Sequence, residues 1–147
     1  NGAHAELDWT PIRYICRSVP RPKIAGLMRR ADICLVTPLA DGMNLVAKEY
    51  VAAQDPEDPG VLILSHFAGA AERMHAALRV NPYDIDEMAR AIREAVAMPL
   101  DERRARHAEL LEGVECEGIS WWTGNFLARL EAVRKDAREA ECADGTD

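Results

Sequence analysis

Two stretches, "DICLVTP" (32–38) and "VLILS" (61–65), limit what this chain can fold into more than anything else in it. Each is a near-continuous apolar run of strand length. A strand with no polar alternation is buried on both faces, as in a parallel sheet. Parallel neighbours need a crossover rather than a tight turn. Residues 44–54 supply one, reading as a helix ended before Pro56 and followed by the turn cluster "DPEDPG" (55–60). "LRV" (78–80) reads as a further short strand ending at "NPYD", and "PIRYIC" (11–16), β-branched and aromatic, as a strand near the start. "KIAGLMRR" (23–30) reads as a short helix with Ile24, Leu27 and Met28 on one face, while "HFAGAAERMHAAL" begins as a small-residue loop and becomes a helix. This alternation predicts an α/β fold: a Rossmann-like parallel sheet flanked by helices on both faces.

Helices follow. Asp84 reads as an N-cap with Glu87 three residues on, the reciprocal pattern of a capping box. Ile85, Met88, Ala89, Ile92, Ala95 and Val96 form an apolar stripe at helical period. "LDERRARHAELLEGV" (100–114) is a further helix. A long C-terminal helix runs from about Ile119 to Ala137, with Trp122, Phe126, Leu130 and Val133 on one side. One domain is expected over residues 1–138, with 139–147 as an acidic, flexible tail.

The chain has 147 residues, 48% of them apolar, enough for one domain with a real core. Its formal net charge of −7 argues against nucleic acid or an anionic membrane surface as the main partner. No apolar stretch approaches the roughly 20 residues of a membrane span. The opening "NGAHAELDWTP" has neither the basic start nor the apolar run of a signal peptide. It reads like a loop from the middle of something longer, so a fragment or an excised domain is expected. Cys16, Cys34, Cys116 and Cys142 are widely spaced, with no CxxC. They read as reduced thiols rather than a metal or disulfide framework, which predicts a cytoplasmic location and no metal site.

The loop after "ICLVT" carries the functional signal. Ligands of open parallel α/β sheets sit beyond the carboxyl ends of the strands, where "LADGMNLVAKE" (39–49) lies. A helix starting there offers unpaired N–H groups and a positive dipole end, which together suit a phosphate. Gly42 lets a ligand approach the backbone, and the amides of Leu45 and Val46 face the anion. Glu49, one turn into the helix, is placed for ribose hydroxyls, and Asp41, on the other side of the phosphate position, for hydroxyls of a sugar. That order (sugar, diphosphate, ribose) describes a nucleotide-sugar. The residues alone equally allow a plainer reading, with Asp41 serving only the turn, Lys48 a solvent-facing charge and Glu49 complementing the helix dipole.

The motifs go further. "ADICLVTPLADGMNLVAKEYVAAQ", "GVLILSHFAGAAERM", "LRVNPYD" and "WW…FLARL" together resemble the C-terminal half of the trehalose-6-phosphate synthase family, from "DWTPIRY" to about Leu130. These are retaining glycosyltransferases of the two-domain GT-B type, glycosyltransferase family 20. The resemblance implies the donor-binding half of an enzyme that moves glucose from UDP-glucose to glucose 6-phosphate, forming trehalose 6-phosphate with retention. It implies that Asp41, as the catalytic-site residue, bonds the glucose hydroxyls. The backbone of Gly42, Met43 and Asn44 lies against the glucose. Leu45 and Val46 amides meet the diphosphate, with Ala47 and Lys48 in the same binding stretch. Glu49 bonds the ribose, and the segment near Val19 passes the uracil. The family uses no metal or other cofactor; main-chain dipoles and basic side chains offset the leaving diphosphate. The resemblance further implies that the leaving phosphate helps deprotonate the acceptor on the same face.

Departures from the family pattern also count. The N-terminal domain that binds glucose 6-phosphate lies outside this sequence, as does the stretch whose Arg and Lys grip the diphosphate. Arg21, Lys23, Arg29 and Arg30 do not occupy the matching positions and read as surface charges. Ala40 stands where the family often has Arg, and Val19 where an aromatic occurs. His66 reads as a solvated loop residue and His4, His75 and His107 as surface residues. Gly69 reads as a point of close helix–sheet packing, and Trp121, Trp122 and Phe126 as core or the seam of the last helix. Without a partner domain, apolar surface on that helix is expected to drive association into homo-oligomers. Two alternatives accompany this reading. One is a sibling transferase, such as a glucosylglycerol-phosphate synthase or a pseudo-glycosyltransferase, using another nucleotide base. The other is a non-catalytic truncated remnant.

Overall fold

The computed structural model describes residues 8–144, with side chains described through Arg134. Three parallel strands, β1 (Ile33–Val36), β2 (Val61–Ser65) and β3 (Leu78–Val80), lie side by side in that order. Ile33 stands opposite Val61, and Ile63 opposite Leu78. The helices are α1 (Arg21–Arg30), α2 (Leu45–Ala53), α3 (Ile85–Ala97), α4 (Leu100–Cys116) and α5 (Ile119–Asp144), with a 3₁₀ turn at Gly69–Glu72.

The central strand explains the two-faced core. Side chains alternate across β2. Leu62 and Leu64 point into a cluster with Ala47, Tyr50 and Val51 of α2 and Leu110 of α4. Val61 and Ile63 point the other way, against Ala91, Ala95 and Met98 on the α3 side. Every β2 residue is buried, as the unbroken apolar run predicts. The loops at the base of the sheet are tied by buried polar groups: Gln54 Oε1 accepts the Gly60 N–H at 2.7 Å, and Tyr50 Oη donates to the Ala31 carbonyl at 3.0 Å. Burial pushes the Tyr50 phenol well above its usual pKa, with Cys34 and Asp32 adding to the rise and Arg103 opposing it. Burial also raises the Cys34 thiol.

Several expectations give way. Residues 11–16 form no strand; the segment takes part in no β-ladder, and β-propensity without a neighbouring strand builds nothing. The segment after β2 is turns around the 3₁₀ turn rather than a helix. The Gly69 and Ala70 amides are drawn to the carbonyls of Asp41 and Met43, so they cannot propagate helical bonds. On α3 the buried face is Ala91 and Ala95 with Met88, whereas Ile85, Ile92 and Val96 are exposed, because three strands are too narrow a sheet to cover the whole stripe. The capping box is half formed: Asp84 Oδ1 accepts the Glu87 N–H at 2.9 Å, but Glu87 Oε2 accepts from the Asn81 amide instead. His107 is buried, with Nε2 3.1 Å from the Val51 carbonyl, because it lies on the face of α4 packed against α2. α5 continues beyond Ala137 to Asp144, and residues 145–147 of the expected tail lie outside the described residues, as does His4. Among the described residues, Cys16, Cys34 and Cys116 are free thiols, and no helix is long and apolar enough to cross a membrane.

Candidate functional site

The loop leaving β1 is built by its own polar side chains. Asp41 Oδ1 accepts the amides of Met43 and Asn44 at 3.3 and 3.2 Å, and Asp41 Oδ2 accepts from Asn44 Nδ2 at 3.0 Å. Asn44 sits in the left-handed region, φ 66°, where Asn is tolerated better than most residues. It caps α2 with its side chain, Oδ1 accepting the Ala47 N–H at 3.0 Å. The amides of Leu45 and Val46 have no acceptor among the described residues. Both residues are exposed at the positive end of the helix. An open pair of donors at the carboxyl edge of a parallel sheet can hold a phosphate without any cationic side chain.

The loop is fixed from the other side by the 3₁₀ turn. Asp41 pairs with Ala68 in an isolated parallel bridge. The Asp41 amide donates to the Phe67 carbonyl at 3.1 Å, and the Gly69 amide donates to the Asp41 carbonyl at 3.0 Å. The backbones come so close that a Cβ on Gly69 would fall 2.0 Å from the Gly42 carbonyl oxygen. Gly69 therefore serves loop-to-loop approach rather than helix–sheet packing. A Cβ on Gly42 would meet nothing within 4 Å, so no neighbour in this chain requires glycine there.

The expected site residues divide between two openings. Gly42, Met43 and Lys48 line a cleft of about 250 Å³ under the start of α5, together with Arg73, Glu117 and Trp121. Glu49 lines a separate groove of about 500 Å³ between α1 and α2, beside Arg21, Ile24 and Met28. Val19 is half-buried ahead of α1 and lines neither opening. Ala47 is fully buried with its amide taken, leaving it to pack rather than to face a ligand. Asp41 does serve the turn, as the plainer reading had it. Lys48 does not face solvent: its side chain is 25% exposed and Nζ lies 3.9 Å from Glu117 Oε2. Glu49 lies beyond the first turn of α2, outside the reach of a helix-dipole role.

Among the expected surface charges, Arg29 is exposed but engaged, donating to the Gln54 carbonyl at 3.3 Å and pairing with Asp55 at 2.9 Å. His66 and His75 are exposed. Trp122 and Phe126 are not core; they are partly exposed and stack face to face, 5.3 Å between ring centres, lining the cleft. Sequence reasoning missed Arg73, Glu117 and Arg129 as cleft residues. Each looks like an ordinary surface charge, and only their convergence across about 45 or more residues of chain reveals them. No group of three or more His, Cys, Asp or Glu among the described residues is placed to hold a metal ion.

A parallel α/β domain whose strand-end loop presents unclaimed amides at a helix start has the architecture in which nucleotides and phosphates are often bound. Comparison narrows the class: residues 1–132 match the family model described as Glycosyltransferase family 20, and the chain belongs to that family. It is 52% identical over 141 residues to the trehalose-6-phosphate synthase of Cronobacter sakazakii, covering 96% of this chain and 30% of that protein. It is 54% identical to the synthase of Sinorhizobium fredii, covering 90% of this chain and 28% of the relative. Among solved structures, a UDP-forming synthase from Burkholderia xenovorans in complex with glucose-6-phosphate superposes with TM-score 0.84 at 56% identity, covering 89% of this chain and 29% of that one. An E. coli structure bound with UDP-2-fluoro glucose gives TM-score 0.83 at 52% identity over 88% of this chain and 29% of that one. The chain thus spans about 30% of the length of the relatives it matches.

Proposed function

We propose that this chain is the donor-binding part of a retaining glycosyltransferase that transfers glucose from UDP-glucose to glucose 6-phosphate, forming trehalose 6-phosphate. The observation that carries the reading is the open start of α2, with two unclaimed amides between Asp41 and Glu49. Relatives solved with UDP-2-fluoro glucose and with glucose-6-phosphate support the choice of ligands. The donor-binding unit comprises residues 1–138, with 139–147 as an acidic extension.

In this reading each residue of the stretch has a role. The Leu45 and Val46 amides take the diphosphate and stabilise the charge that develops on it as the sugar departs. Three donors already occupy the Asp41 carboxylate, and a carboxylate has about four acceptor sites, so one lone pair is left for a glucose hydroxyl. The exposed edge at Gly42 and Met43 lets the sugar lie against backbone, and Asn44 holds that backbone in place. Ala47 and Lys48 act from behind, through packing and the Glu117 pair. Glu49 takes the ribose hydroxyls from the α1–α2 side, with the uracil reaching toward the Val19 segment. The leaving phosphate accepts the proton of the acceptor hydroxyl on the face it departs from, so configuration is retained. Glucose 6-phosphate is held by a domain outside this chain, and the location is the cytoplasm.

Calorimetric titration of the chain with UDP, GDP and ADP tests the reading. Saturable binding that favours UDP is expected, and Glu49→Ala should weaken it by about 1.5–3 kcal/mol, the scale of a hydrogen bond to a charged group. Equal affinity for the three nucleotides, or an unchanged Glu49→Ala variant, would overturn the base choice or the ribose contact respectively.

A further inference from the structure

α2 and the 3₁₀ turn stand on either side of the Asp41–Asn44 loop, and one carboxylate joins them. Glu117 ends α4 at the corner with α5. Its side chain is 14% exposed, lies 3.9 Å from Lys48 Nζ of α2, and accepts a hydrogen bond from Nε of Arg73, the residue that closes the 3₁₀ turn. The Arg73 guanidinium lies over the Trp121 ring of α5, 4.3 Å from its centre. A carboxylate so covered is favoured by counter-charges beside it, so the two cations and the corner hold one another. The 3₁₀ turn passes this constraint to the loop, through the Gly69 amide on the Asp41 carbonyl at 3.0 Å and the Ala70 amide on the Met43 carbonyl at 2.9 Å. Gly69 against Gly42 leaves no slack.

We propose that Glu117 is a positioning residue for the donor sugar: acting through Arg73 and Lys48, it sets the spacing between α2 and the 3₁₀ turn, and so presents the Gly42–Asn44 backbone. This rests on the donor reading above. The tie reaches the sugar-facing side of the loop, whereas Glu49 opens onto the other groove. Loss of Glu117 should therefore discriminate between UDP-glucose and UDP, which a general loss of stability would not.

Two measurements on the 147-residue chain decide it. Glu117→Gln keeps the shape and removes the charge. The amides of Gly69, Ala70 and Asn44 should then exchange with solvent about tenfold faster, while those of β2 and α3 keep their rates. By calorimetry, UDP-glucose should bind about five- to tenfold more weakly and UDP within about twofold of wild type. Arg73→Gln should reproduce both effects, and the double variant should be no worse than either single one, because the pair acts as a unit. Unchanged exchange at those amides, a uniform rise across the chain, or equal weakening of the two ligands would overturn the proposal. A wild-type chain that binds neither ligand overturns the donor reading instead; exchange then decides the positioning alone, upheld by the local rise and overturned without it.

Discussion

Pro11–Cys16 and Val61–Ser65 look alike on paper: both are short, apolar and rich in β-branched residues. One is the most buried strand in the molecule, and the other is not a strand, with Tyr14 86% exposed. β2 has β1 on one edge, β3 on the other and helices over both faces. Residues 11–16 take part in no β-ladder. Partners, rather than apolar content, decide what a segment becomes and what each residue contributes.

The largest contrast should come from paired truncations. Ile63→Ala empties the centre of the α3-side core and should cost about 2–5 kcal/mol. Ile15→Ala, in the unladdered segment, should stay within about 0.5 kcal/mol. Denaturant unfolding of both variants checks this, and equal costs would break the comparison.

A polar loop residue sharpens it. Asn44 is neither apolar nor in a strand, yet it holds Asp41, caps α2 and occupies a positive φ. Asn44→Ala loses the cap and strains the backbone, an expected cost of about 2 kcal/mol, whereas Asn44→Gly keeps the backbone freedom and should cost under about 1 kcal/mol. Thermal melts of the two variants should separate accordingly; the reverse order would mean that the left-handed turn is not what the side chain serves.

The smallest effect compares one residue type in the unladdered segment and in the strand paired with β2. Cys16 is exposed in the first, while Cys34 is half-buried in β1 with its thiol pushed up by desolvation. Iodoacetamide should alkylate Cys16 about tenfold or more faster, since the thiolate is the nucleophile. Stability carries the same sign. Below the unfolded thiol pKa of about 8.5 neither state ionises Cys34. Above it the unfolded chain loses the proton first, so stability falls as pH rises toward the raised folded value. Cys34→Ala should flatten that alkaline decline, and an unaltered slope would place its source elsewhere, with Tyr50 the next group raised by burial.

The helices and the paired strands were legible because their signals are local. The Asp84 cap, the unbroken run of β2 and the polar loop into α2 each specify their structure within a few residues. The stretch from Asp41 to Glu49 was legible as a candidate anion site, since such a site at a helix start is made mostly of backbone, and the residues that shape it are adjacent in the chain. The cleft charges were not legible, because Lys48, Arg73 and Glu117 are scattered along the chain and carry no motif. The burial of His107 was hidden for the same reason: it depends on which face of α4 meets α2.

By itself, then, the sequence determined the parallel α/β class, the start and cap of α2, and the family to which the chain belongs, because periodicity, capping and motif are properties of neighbouring residues. Only the tertiary structure decided that residues 11–16 join no β-ladder and that the alanine-rich segment after β2 turns back to clamp the loop. It alone separated Gly42 and Met43 from Glu49, onto different openings, and set one carboxylate, Glu117, between Lys48 and Arg73. Those outcomes depend on hydrogen-bond partners and counter-charges brought together from distant parts of the chain, and no local preference encodes them.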